Sequence, residues 1–133
     1  MQNLFLEPKL FTVQVTSSDL QEVGGTYGAR GTVLKLDGTH ATDNTEGDGI
    51  VFDDNADAKS GSDVAVVVGG GAYARAGGNI SGGDFVVAGQ SGCVVTAATT
   101  SGKRVIGRAL HLGTAYTSGQ LVPVMVSVQD YTF

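Results

Sequence analysis

Ser60-Gly61-Ser62-Asp63-Val64-Ala65-Val66-Val67-Val68 and Ser118-Gly119-Gln120-Leu121-Val122-Pro123-Val124-Met125-Val126 read almost as copies of each other: a Ser-Gly turn, then valines at alternate places. Period-2 alternation after a turn dipeptide is the pattern of a half-buried strand. At the same spacing Gly49-Ile50-Val51-Phe52 pairs with Gly107-Arg108-Ala109-Leu110. After a gap of about four residues, Asp37-Gly38 pairs with Ser91-Gly92. Each copy is then a turn, a strand, a turn and a strand, a weak internal repeat of one β motif.

The composition agrees. A chain of 133 residues with 21 glycines and only two prolines is long enough for one domain with a modest core. Its many Val, Thr and Ser residues suit short strands joined by glycine turns. Strands are predicted over residues 11–16, 32–36, 50–52, 64–68, 72–76, 85–88, 94–98, 105–112 and 121–129. Nine short strands separated by turn signals give an all-β fold, a compact β-sandwich or barrel. Residues 1–30 read as an extended N-terminal arm with one strand, and 31–133 as the β domain that carries the repeat. Paired glycines at Gly24-Gly25, Gly77-Gly78 and Gly82-Gly83 read as turns.

The single cysteine, Cys93, excludes an intrachain disulfide, and beside Val94 and Val95 it reads as a small core residue. Leu4-Phe5-Leu6 is interrupted by Glu7 and Pro8, and no run of about eighteen apolar residues follows. We therefore expect no membrane span and no classical secretion signal. Net charge is −5, and residues 37–63 hold eight carboxylates against Lys59 alone. That acidic stretch argues against nucleic-acid binding, which needs clustered basic groups, and leaves docking on a basic protein surface open.

Motifs for chemistry are weak. Gly69-x-Gly71-x-x-Ala74 follows a predicted strand, but Gly77-Gly78 arrives too soon for the helix that a dinucleotide fingerprint needs. A hairpin turn at Gly69–Gly71 is the expectation. Ser101-Gly102-Lys103 lacks both the earlier glycine and the hydroxyl residue of a phosphate loop, since Ala97 and Arg104 stand there. There is no Gly-x-Ser-x-Gly elbow, and the only histidines are His40 and His111. Asp43, Glu46 and Asp48, or Asp53, Asp54, Asn55 and Asp57, offer hard oxygen ligands for calcium. Neither set matches a calcium-loop pattern, so solvated loops that guard neighbouring strand edges are the simpler reading. No enzyme and no cofactor is expected.

Residues 31–128 resemble the small β-rich decoration, or cement, proteins of tailed-phage capsids. The resemblance rests on Asp63-Val64-Ala65-Val66-Val67-Val68, the Ala72 to Gly78 segment, Gly82-Gly83-Asp84-Phe85-Val86-Val87, Arg104-Val105-Ile106-Gly107-Arg108-Ala109-Leu110 and Gly119-Gln120-Leu121-Val122-Pro123-Val124, in that order. It implies a homotrimer bound to the major capsid protein on the outer surface of the assembled head, with no catalytic residues. Contact candidates are the apolar residues near the termini: Leu4, Phe5, Leu6, Leu10 and Phe11 in the arm, and Tyr131 and Phe133 at the other end. The alternative is a carbohydrate-binding β domain displayed on the virion, with Tyr27, Tyr73 and Tyr116 as stacking platforms.

Overall fold

The two long strands are the two copies of the repeated stretch: β4, Asp63–Arg75, and β10, Leu121–Asp130. The computed structural model describes residues 8–16, 30–52, 61–110 and 115–131. The other strands are β1 (Lys9–Gln14), β2 (Val33–Leu34), β3 (Gly49–Val51), β5 (Ile80–Ser81), β6 (Phe85–Ala88), β7 (Val94–Thr96), β8 (Arg104–Ala109) and β9 (Ala115–Tyr116). A 3-10 turn at Gln90–Gly92 is the one helical element among the described residues. The fold is all-β and compact, as its composition predicts.

β4 and β10 lie side by side and antiparallel, Arg75 opposite Leu121 through Gly69 opposite Ser127. Outward from that pair the sheet runs β3, β2 on one side and β8, β6, β7 on the other. The pairing on the two sides is the same when shifted by 58 residues, the distance from Gly49 to Gly107. Val67 faces Ile50 as Met125 faces Arg108, and Val66 faces Val51 as Val124 faces Ala109. The glycines repeat as well. Gly61 and Gly119, just before the long strands, have φ of 94° and 90°, a region that L side chains enter only at a cost. Gly49 and Gly107 are buried where a neighbouring backbone comes too close for a side chain: a Cβ on Gly49 would stand 2.5 Å from the Val67 carbonyl oxygen, and one on Gly107 would meet that of Met125.

The expected hairpin at Gly69–Gly71 does not form. β4 runs straight through it as one strand of 13 residues. Two ladders hold it extended: β1 pairs with its first half, Lys9 opposite Gly69 to Gln14 opposite Asp63, and β10 pairs with its second half. The glycines serve a different end. Val67 before them and Ala74 after them both face the main core, although strict alternation would put odd and even positions on opposite faces. Gly70, at φ 90°, makes that switch within an unbroken strand. The small pair β5–β9, Ile80 opposite Tyr116, is absent from the sequence reading because each strand is two residues long amid turn glycines.

The sheet curls until its ends nearly meet, which decides for the barrel over the sandwich. Ala76 forms a parallel bridge to Val94, and the Gly77 N–H donates to the Val94 carbonyl at 2.8 Å. The Gly92 N–H donates to the Ala41 carbonyl at 2.8 Å and ties the 3-10 turn to the flank of β2. Inside is the main core, built on Val33, Ile50, Val67, Val86, Ile106, Val122, Val124 and Val126. A second core lies under β1, where Val13 and Val15 pack with Leu34, Val51, Val64 and Val66. Each of these side chains, fully buried, contributes about 1.5–3 kcal/mol against exposure.

Candidate interaction surface

The contact candidates divide sharply. Leu4, Phe5, Leu6 and Phe133 lie outside the described residues. Leu10 and Phe11 stand on β1 with 50% and 54% of their surface exposed. Residues directly opposite across a ladder share a face, so Phe11, opposite Val66, rises on the side of the second core. Leu10, opposite Val67, rises on the other. Phe52, 49% exposed, joins Leu10 there, because its N–H donates to the Ala65 carbonyl at 2.8 Å and Ala65 lies opposite Thr12. The corner made by β1, β4 and β3 thus presents large apolar groups on both faces. Tyr131 is engaged within the domain: it packs on Val87, Ala97 and Val105, and its hydroxyl lies 2.6 Å from Gln129 Oε1.

A second apolar row crosses the outside of the barrel. Phe85 lies opposite Arg108, Arg108 opposite Met125, and Met125 opposite Gly71. The Arg108 guanidinium sits 4.9 Å above the Phe85 ring, and Arg30 sits 5.5 Å above the Tyr73 ring. A shallow depression of about 430 Å³ runs between Phe85, Leu110, Met125 and Gln129. Sequence reasoning missed this row because its members come from three strands and share no local motif. Of the tyrosines proposed as stacking platforms, Tyr73 is 46% exposed, whereas Tyr116 packs against the main core and donates its hydroxyl to the Leu110 carbonyl at 3.1 Å. Tyr27 lies outside the described residues.

The acidic loop between β2 and β3 is built by its own hydroxyls. The Asp37 carboxylate accepts from the Thr39 hydroxyl at 2.6 Å and its N–H at 3.0 Å, and Asp43 accepts from both groups of Thr45 at 2.7 Å. These bonds, hydroxyl first and backbone second, hold both carboxyls below the ordinary aspartate range. Glu46 is also held low, chiefly by the Thr42 N–H at 2.9 Å, with help from the Thr42 hydroxyl and Lys35. Asp48 instead pairs with Arg104 at 2.7 Å, and Arg104 also donates to the Gly47 carbonyl at 2.7 Å, which clamps the loop to β8. Among the described residues no three His, Cys, Asp or Glu side chains gather as metal ligands. Asp53, Asp54, Asn55 and Asp57 lie outside them. No helix among them is long and apolar enough to cross a membrane.

The fold resembles that of a phage head-fiber base. The crystal structure of the head fiber gp8.5 N base of bacteriophage phi29 matches with a TM-score of 0.62 and 23% sequence identity. The match covers 91% of this chain and 95% of that one, so it takes in the whole barrel. No protein-family model matches the sequence, and no curated protein matches it.

Proposed function

We propose that this chain is a structural protein of a tailed-phage head, bound as a homotrimer to the major capsid protein on the outer surface of the assembled shell, which it stabilises as a decoration protein. The observation that carries the reading is the end-to-end likeness to a head-fiber base. The molecule's exposed chemistry supports it: apolar side chains on a rigid barrel, with acidic groups tied into turns.

The physical task is modest per copy. Burying the exposed halves of Leu10, Phe11 and Phe52 removes roughly 300 Å² of apolar surface from water, about 7 kcal/mol gross. Association costs an estimated 4–15 kcal/mol, so a single corner binds weakly. Three linked corners make the second and third contacts intramolecular and raise avidity by orders of magnitude. A ligand that binds the closed shell in preference to free subunits stabilises the shell by mass action.

A second reading is favoured by the name of the structural neighbour: the barrel would anchor a fiber to the head. The two readings share a partner and differ in what projects from the barrel.

Cosedimentation with empty heads tests the shared part. Saturable binding is expected, and Leu10→Asp or Phe11→Asp should reduce it at least tenfold while leaving the far-ultraviolet spectrum unchanged. Sedimentation equilibrium should give three times the 13.5 kDa chain mass. A folded protein that never pellets with heads would end the proposal.

A further inference from the structure

Arg75, the last residue of β4, is a buried cation whose charge no described carboxylate answers. The residue is only 6% exposed. Nη1 donates to Thr32 Oγ1 at 3.3 Å and Nη2 to the Ser91 carbonyl at 2.6 Å. The ion pairs among the described residues join Lys35 with Glu46, and Arg104 with Asp48 and Asp130; none reaches Arg75. A guanidinium has five N–H donors and cannot shed its proton. Two neutral oxygens satisfy part of its hydrogen bonding and none of its charge, and an uncompensated buried charge costs several kcal/mol.

The same side chain lines a cavity of about 490 Å³ between the end of β4, the 3-10 turn and the turn before β10. Its wall holds Gln90, Ser91 and Ser118, all able to hydrogen-bond, and at Gly119 it is open, with nothing within 4 Å of where a Cβ would be. Ser91 is the one described non-glycine residue with positive φ, 58°, and its carbonyl is the one that accepts from Arg75. The backbone is thus held in an uncommon conformation where it meets the cation.

We infer that this cavity is a carboxylate-binding site, with the Arg75 guanidinium as the charge partner and the Ser91 and Ser118 hydroxyls and the Gln90 amide as flanking groups. A planar carboxylate matches the donor fork of arginine and supplies the missing counter-charge. The inference is independent of any role on a phage head. The carboxylate comes either from a free small acid or from an acidic side chain of a second copy.

Cys93, the chain's sole cysteine, lines the same cavity and serves as the reporter. The rate at which neutral iodoacetamide alkylates it is measured at constant ionic strength, with acetate replacing chloride. If acetate is the ligand, the rate falls hyperbolically, by roughly tenfold at about ten times the Kd, as competition for one cavity requires. Arg75→Gln abolishes the dependence. If a second copy supplies the carboxylate, the rate falls instead with protein concentration, again only while Arg75 is present. Should Arg75→Gln fail to fold, Ser118→Asp places a carboxylate inside the cavity: alkylation is slow without acetate and acetate has no further effect. The inference is overturned if wild-type alkylation ignores both acetate and protein concentration, if Arg75→Gln keeps the dependence, or if Ser118→Asp behaves as wild type.

Discussion

Alanine at Gly49 tests whether the repeated register is imposed by backbone contact. The added methyl would stand 2.5 Å from both Val66 Cγ1 and the Val67 carbonyl oxygen, about 1 Å inside ordinary contact. β4 cannot retreat, because β1 holds its other edge with Leu10 opposite Val67. β3 must therefore move outward by about the same amount. That weakens roughly two ladder hydrogen bonds at about 1 kcal/mol each and loosens the packing of Ile50 and Val51 by about 1–2 kcal/mol. Losing glycine's freedom in the unfolded chain returns about 0.5–1 kcal/mol, so the net cost is about 3 kcal/mol. Gly107→Ala should cost about as much, since Met125 stands to Gly107 as Val67 stands to Gly49. Gly61→Ala and Gly119→Ala meet nothing within 4 Å and should cost only the penalty of positive φ, about 1–2 kcal/mol. Urea midpoints at constant m give all four values. A cost under about 1 kcal/mol at Gly49 or Gly107, or an equal cost at the open pair, would refute the reasoning.

Within β1, Val13→Ala should destabilise by about 2 kcal/mol by opening the second core, whereas Phe11→Ala should change stability by less than about 0.5 kcal/mol; thermal melts of the two variants check the contrast. Because Asp37, Asp43 and Glu46 are held below their unfolded values, their stabilisation is complete above about pH 5 and is lost as pH falls through and below about 4. Urea midpoints at the two ends of that window should differ in wild type, and less so in Thr39→Val/Thr45→Val. Arg104→Ala removes the Asp48 and Asp130 pairs and the Gly47 bond, with the Arg104 and Asp48 side chains each 27% exposed, and should cost about 1–2 kcal/mol, with faster amide exchange across residues 42–48 than in β8.

The barrel's ingredients are local, and the sequence carries them. Valines at alternate places after Ser-Gly mark β4 and β10, and the exposed Phe11 beside buried Val13 and Val15 follows from one strand at a sheet edge. The repeat marks one β motif used twice, and equal spacing of its turn glycines and apolar positions goes with equal registers in β3–β4 and β8–β10. What it cannot carry is which core each apolar face enters: Val66 and Val124 hold matching places in the repeat, yet one packs under β1 and the other inside the barrel. Two further outcomes depend on partners distant in the chain. Gly69–Gly71 looks like a turn by itself and becomes strand because β1 and β10 hold both halves of β4. Arg75 looks like one surface cation among eight basic residues, and only the meeting of Thr32, Ser91 and the end of β4 buries it. Composition and alternation act within a few residues and so set the strand inventory and its all-β class; sheet order, closure and the buried cation are decided by contacts between segments tens of residues apart, which a linear pattern does not encode.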